Sequence, residues 1–233
     1  MPAGCVARRL RTNGRSGVAR QNSAAAIERA AVRLFAKYGF VGTSIRDLAS
    51  EVGVSTANIY NHTASKEEML WKIISRTMGD LLVNAARAEG VSTCPVAQLE
   101  AFVSAHVTYH ATHRGEARIG NTQWRHLSDE RMQVVHGQRD QYTHALEAII
   151  ERGFAQSYFK QPQGKFATLS LIAMGLGVSQ WYRSSGSHDT TDIAAIYVGF
   201  AFDMLHLDAA FHDENCPDPG HTQIAASTAS SAV

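Results

Sequence analysis

The sequence predicts an all-α protein: a three-helix head towards the N-terminus and a larger helical body behind it. Three observations lead there. Apolar residues recur at intervals of three and four in segment after segment, which is the period of an amphipathic helix. Those segments are bounded by helix punctuation, with hydroxyl residues before the stripes and glycines after them. No run alternates apolar and polar residues as a half-buried strand would, and no internal repeat occurs.

Taken in order, the elements start with residues 1–22, which hold five arginines (Arg8, Arg9, Arg11, Arg15, Arg20) and no acid. They read as a flexible basic arm, either tracking a polyanion or serving as a tail without a role. The first helix spans 23–38, with Ile27, Ala30, Ala31, Leu34 and Phe35 as its stripe and Gly39 as its stop. Thr43 or Ser44 can cap a second helix whose apolar face is Ile45, Leu48, Ala49 and Val52. Gly53 ends it, where a left-handed residue is cheapest. Ser55 caps a third helix through Ile59 and Tyr60. Helix, glycine turn and Ser-capped helix make a helix-turn-helix, whose second helix is the kind that enters a major groove.

Ser65 then caps a long helix over 66–89, with Glu68 placed for a capping box and Met69, Leu70, Ile73, Ile74, Met78, Leu81 and Leu82 on its buried side. Pro95 opens a helix over 95–113, and a less regular segment covers 115–127. A further long helix runs from Ser128 to about 155, carrying Met132, Val135, Tyr142, Leu146, Ile149 and Ile150. Gln161-Pro162-Gln163-Gly164 breaks the chain. An apolar helix over 165–184, a loop at 185–188 and a last helix over 189–211 follow. The tail from 213 is rich in Pro and Gly, then Ala and Ser, a disordered composition. The domain plan is therefore an arm at 1–22, a head at 23–70, a body at 71–212 and a tail at 213–233.

With 233 residues, 45% hydrophobic and 18% charged, the chain can bury a sizeable core. No apolar run approaches the ~20 residues that span a bilayer, and the basic N-terminus lacks the apolar stretch of a secretory signal. Cys5, Cys94 and Cys216 are odd in number, far apart in sequence and without a Cys-x-x-Cys pair, which suits a reduced, cytoplasmic protein. The net charge of +1 hides an asymmetry. Residues 1–76 carry 12 Lys and Arg against 5 Asp and Glu, while residues 77–233 carry 10 against 16. The basic end is the end with the helix-turn-helix, so a polyanionic partner belongs there.

The residues of the head resemble the TetR family of transcriptional regulators. The matching positions are Ala30–Phe35, Tyr38-Gly39-Phe40, Gly42-Thr43-Ser44, Ile45–Ala49, Val52-Gly53-Val54-Ser55, Ile59-Tyr60-Asn61-His62 and Ser65-Lys66-Glu67-Glu68-Met69-Leu70. They cover 23–72 in order. The body is more loosely similar to acyl-CoA-responsive regulators of lipid and steroid breakdown, through the His-rich segment 106–113 and the run Trp124–Arg139. Thr63-Ala64 departs from the Phe-Pro that many members carry, so less apolar area is buried there.

The resemblance implies roles. Thr56, Ala57, Asn58 and Asn61 would read base edges, with an asparagine on adenine and the Ala57 methyl on thymine. Thr43, Ser44, Tyr60, His62 and Lys66 would hold phosphates, and Arg46 could do either. Phe102, His106, Tyr109, His110, Trp124, Met174 and Trp181 would line an effector cavity, with Arg118, Arg125 and Arg183 as cations for effector phosphates. The last two helices, with Gly175, Gly177, Ser179, Ala194, Ala195, Gly199 and Ala201, would pair two subunits.

The expected protein is thus a one-component regulator, a repressor bound as a homodimer to a palindromic double-stranded DNA operator. A small apolar or acyl-CoA effector would release it. The rival reading is a DNA-binding or interaction module of low specificity without an effector. No catalytic motif supports an enzyme: Gly-x-Ser-x-Gly, the P-loop and Gly-x-Gly-x-x-Gly are all missing, and Gly175-Leu176-Gly177 reads as close helix packing. His106, His110 and His113 share a helical face, but no acid or cysteine completes a ligand set, so they read as pocket or structural histidines. No cofactor, metal or membrane partner is expected.

Overall fold

The computed structural model describes residues 13–160 and 164–216. The arm before 13, the break at 161–163 and the tail beyond 216 lie outside the described residues. The helices are α1 (Asn13–Tyr38), α2 (Ile45–Val52), α3 (Thr56–Tyr60), α4 (Lys66–Gly90), α5 (Pro95–Thr112), α6 (Arg114–Thr122), α7 (Asp129–Ala155), α8 (Gly164–Trp181), α9 (Thr190–Leu205) and α10 (Ala209–Asn215). A single 3-10 turn at Trp124–His126 separates α6 from α7. Among the described residues the only bridged extended backbone is the isolated antiparallel pair Phe159 and Leu207.

The chain divides between Met69 and Leu70 into two compact units. In the first, α2 packs on α1 and α3 on α2. Ile27, Ala30, Ala31 and Phe35 of α1, Leu48 and Ala49 of α2, and Ile59 of α3 close its small core. Phe40 meets Phe35 edge to face, with ring centroids 5.5 Å apart. In the second, α5 is the central helix, packed against α9, α8 and α7. That position explains its composition: Val96, Leu99, Phe102, Val103 and Val107 are buried, and so are the polar Gln98, His106 and His110.

Four boundaries differ from the expected ones. Helix α1 begins at Asn13 rather than 23, so 13–22, read as arm, are helical. The segment at 115–127 is helix α6 followed by the 3-10 turn. Helix α8 stops at Trp181. The helix expected over 189–211 is two: α9 ends where His206 adopts φ 50°, and α10 continues past 213 to Asn215. His206 is a non-glycine residue in the left-handed region, so composition held no sign of that stop.

Candidate functional site

Two regions concentrate exposed polar chemistry or enclosed space, one in each unit. In the first unit, local capping fixes the turn between α2 and α3. The Ser44 backbone amide donates to Asp47 Oδ2 at 2.7 Å and the Asp47 amide donates to Ser44 Oγ at 3.2 Å, a complete capping box. The Ser44 hydroxyl, which donates to Asp47 Oδ2 at 2.7 Å, and the Ser44 amide hold the Asp47 carboxyl below its usual range. Gly53 sits at φ 73° and its amide reaches back to the last turn of α2. Ser55 Oγ accepts from the Asn58 amide at 3.2 Å and starts α3.

This arrangement leaves Thr56, Ala57 and Asn61 exposed, with Tyr60 at 55% exposure beside them. Asn58 and His62 are half-buried, and the Asn58 side-chain oxygen is buried without a hydrogen-bond partner. Arg46 and Ser44 are exposed on α2 and its cap.

Thr43 and Lys66, expected to hold phosphates, are committed elsewhere. Thr43 is buried and its hydroxyl donates to the Gly39 carbonyl at 2.9 Å. Lys66 Nζ donates to the carbonyls of Phe40 and Thr43, both at 2.8 Å, and lies 4.3 Å over the Phe40 ring. Both residues brace the loop before α2. Thr63, standing where a larger apolar residue is common in the resembling family, is buried with its hydroxyl on the Ser65 carbonyl.

In the second unit a cavity of about 200 Å³ opens among five helices. Helix α4 contributes Thr77 and Leu81, α5 His106 and His110, and α6 Ala117, Gly120 and Asn121. Helix α7 adds Arg139, Tyr142 and Thr143, and α8 adds Ile172 and Leu176. The polar groups are ordered. Tyr142 donates its hydroxyl to His106 Nδ1 at 2.9 Å, and His106 Nε2 donates to the Ile172 carbonyl at 3.2 Å. That pair of partners sets the tautomer: a proton on Nε2 and a lone pair on Nδ1. Burial lowers the His106 pKa to about 4 and that of His110 to about 2, so both are neutral at pH 7. Arg139 donates to the Gly120 carbonyl and stacks 5.0 Å from the Trp124 ring centroid. His110 differs from its neighbours: it is buried, and neither ring nitrogen has a hydrogen-bond partner.

Of the residues expected at an effector cavity, the structure brings only His106 and His110 to it. Phe102 lies behind the wall, 4.9 Å from the Tyr142 ring. Tyr109 is outside the lining, stacked on His113 at 4.4 Å with its hydroxyl donating to Asp80 Oδ2 of α4 at 3.5 Å. Trp124 supports Arg139 from outside, Met174 is half-buried away from the lining, and Trp181 is 49% exposed. The three histidines do not converge, because α5 ends at Thr112 and His113 turns outward. Arg118, Arg125 and Arg183 are exposed and outside the lining; the cation in the wall is Arg139. Sequence reasoning passed over Arg139, Thr143 and Asn121, although Arg139 shares a helical face with Tyr142 and Thr143 at i, i+3 and i+4.

Helices α8 and α9 carry an exposed apolar face. Phe166, Leu169 and Trp181 on α8 and Ile196 and Phe200 on α9 are 40–71% exposed. Of the small residues expected to let two subunits approach, Gly175, Ser179, Ala194 and Ala201 are instead buried inside the subunit. A Cβ at Gly175 would collide with the His106 ring, so this glycine makes room for the cavity histidine. Ala195 is exposed, and Gly199 has open space around it.

Comparison with known proteins finds the same division. Residues 27–72 match the family model for bacterial regulatory proteins of the tetR family, and residues 92–205 match the tetracyclin repressor-like C-terminal domain. The HTH-type transcriptional repressor KstR2 of Rhodococcus jostii (strain RHA1) is 26% identical over 178 residues, 75% of this chain and 87% of the relative. The crystal structure of a bacterial regulatory protein in the tetR family from Rhodococcus RHA1 is 31% identical, with a TM-score of 0.71 over 78% of this chain and 96% of that one. AibR in complex with isovaleryl coenzyme A and operator DNA has a TM-score of 0.68 over 76% of this chain and 97% of that one; at 22% identity the likeness is one of fold.

Proposed function

The chain belongs to the tetR family of bacterial transcriptional regulators, and from that premise we propose that it is a repressor released from its operator by a small organic effector. The observation that carries the reading is the exposed face of α3, presented by a turn capped at both ends, in a chain that also holds a cavity with an apolar wall and a few polar groups. Thr56, Ala57 and Asn61 are free to meet base edges, with Asn58 behind them. Arg46, Tyr60, His62 and Ser44 surround that face and supply phosphate contacts. A homodimer formed through the exposed faces of α8 and α9 presents two such helices to a near-palindromic site in cytoplasmic DNA.

The effector has an apolar body and one carbonyl or carboxylate group. Leu81, Ala117, Ile172 and Leu176 offer apolar wall, while Arg139, Thr143 and the unsatisfied His110 offer polar handles. An acyl-CoA thioester fits this pattern when its acyl group enters and its nucleotide stays outside, near the exposed Asn121 and the Arg118 one turn before it on α6. The relation to KstR2 supports the repressor reading, and the fold shared with AibR, whose structure holds isovaleryl coenzyme A, supports that effector class. Ligand and DNA are coupled only if the effector binds the DNA-free state more tightly. The cavity disfavours the rival reading of a DNA-binding module without an effector.

Selection of bound sequences from a random double-stranded library tests the DNA half. Enrichment of a near-palindrome supports the proposal. Recovery of random sequence at equal affinity overturns it.

A further inference from the structure

Cys94 and Cys216 stand 122 positions apart in the sequence, yet the fold brings them together with a histidine. One ligand atom from each of Cys94, His212 and Cys216 lies within 4.8 Å of the others. Cys94 and His212 are buried and Cys216 is half-buried. The two cysteines are not joined in a disulfide. None of the three residues lines the cavity of the second unit.

The cluster is held from both sides. On one side is the turn between α4 and α5. Gln98 donates to the carbonyls of Glu89 at 2.8 Å and Ser92 at 2.7 Å, Ser92 Oγ accepts from the Cys94 amide at 3.0 Å, and Arg152 donates to Gln98 at 2.8 Å. Cys94 is the N-cap residue of α5, which fixes its sulfur at the start of that helix. On the other side is α10. Asp208 caps it through the Phe211 amide at 3.0 Å, and Tyr158 donates to the Asn215 carbonyl at 3.1 Å. His212 is 2% exposed and neither ring nitrogen has a hydrogen-bond partner. Its charged neighbour is Asp213, with Oδ1 3.5 Å from Nδ1.

A buried imidazole with no hydrogen-bond partner is costly, and native structures rarely keep one without a reason. A disulfide between the cysteines would leave it unsatisfied. A cation would not. Two thiolates and one imidazole are the ligand types of zinc-class sites, with the fourth place open to water or to Asp213. Zn–S bonds of about 2.3 Å at a tetrahedral angle separate two sulfurs by roughly 3.8 Å, so the ligands need close by only about 1 Å. We propose that Cys94, His212 and Cys216 bind a thiophilic divalent cation of the zinc class and clasp α10 to the α4–α5 turn.

The test uses the full chain, reduced with a metal-free phosphine, stripped with a chelator and titrated anaerobically with CoCl2. The expected result is one equivalent per chain, a thiolate-to-cobalt charge-transfer absorption, and displacement by ZnCl2 with a rise in Tm. Cys216→Ser and His212→Gln, each checked for native helicity, should lose the absorption. They should weaken binding by more than the roughly 10- to 100-fold that loss of an outer-shell partner costs. Cys5→Ser should bind as the parent does. The half-buried Cys216 keeps the test decisive should changes at Cys94 or His212 unfold the chain. No stoichiometric uptake, uptake unchanged in folded Cys216→Ser, or a Cys94–Cys216 disulfide that persists in the presence of ZnCl2 overturns the proposal.

Discussion

Gly175 and His106 show how one residue decides what another can do. The imidazole lies where a Cβ on Gly175 would stand, so Gly175→Ala must displace the ring or the helix. Overpacking of that kind costs about 1–3 kcal/mol, to be read from urea denaturation. The same histidine sets an acid limit. Burial holds His106 at about 4 and His110 at about 2, below the ordinary value near 6.5. The unfolded chain therefore takes up protons first as pH falls. The stability these two contribute is whole above about pH 6.5 and is lost as pH drops towards 4, at up to about 1.4 kcal/mol per pH unit for each. The urea midpoint should fall between pH 7 and pH 5, and His106→Gln should flatten that fall; an equal slope in the variant assigns the loss to other groups. On the DNA side, Asn61→Ala should cost on the order of 1–3 kcal/mol at the preferred site and nothing on random DNA. Lys66→Ala should weaken both alike and also lower the stability of the isolated protein, because Lys66 holds the Phe40 and Thr43 carbonyls. The exposure of Thr56, Ala57 and Asn61, proposed to read base edges, was legible because their spacing after Ser55 is local. The commitment of Thr43 and Lys66 was not, since it depends on loop carbonyls brought close by the packing of α1 and α2.

Elements punctuated by their own sequence were the readable ones. Ser44, Gly53, Ser55, Ser65 and Pro95 each act within four residues, and α2 to α5 begin within a residue or two of where those signals place them. Helix starts and stops set by distant contacts were hidden: α9 ends at His206, whose neighbour Leu207 pairs with Phe159, and α10 forms where Tyr158 meets Phe211 and His212. Ser44→Ala removes half of the capping box and should destabilise the protein by about 1 kcal/mol, with a matching loss of operator affinity if α2 positions α3. Small residues on α8 and α9 pointed to the helices that carry the exposed apolar face, although several of them serve the interior. The exposed residues name the proposed dimer face better: Phe166, Leu169, Ile196 and Phe200. Gly199 lies among them with no atom near its missing Cβ, so Gly199→Arg leaves the subunit intact. The variant should sediment as a monomer with native helicity and lose operator binding. A dimeric variant places the pairing on another surface.

At the scale of the whole molecule, the basic first third and acidic remainder already separate a DNA-facing end from the rest. The body's helical class was readable too. Its cavity was not, because aromatic residues such as Phe102 and Tyr109 look alike in a sequence whether they line a space or stand behind its wall. What an effector bound in the cavity would have to do is fixed by linkage. An effector at 100 times its Kd stabilises the state it binds by about 2.7 kcal/mol, and one that binds DNA-competent and DNA-free states equally shifts nothing. Stabilisation and release therefore have to be measured together, by thermal shift and by gel shift on the selected operator. Acyl-CoA thioesters of graded chain length, the matching free acids and CoA-free aromatic hydrophobes separate the candidates. The expected outcome is stabilisation with release by acyl-CoAs whose acyl chain suits a cavity of about 200 Å³. Arg139→Gln should lose the effector response while binding the operator as before, since Arg139 lies in the second unit and faces the cavity. Release by a CoA-free hydrophobe alone replaces the thioester with a generic apolar metabolite. A full response in Arg139→Gln removes that guanidinium from effector recognition and leaves His110 as the polar group to change next.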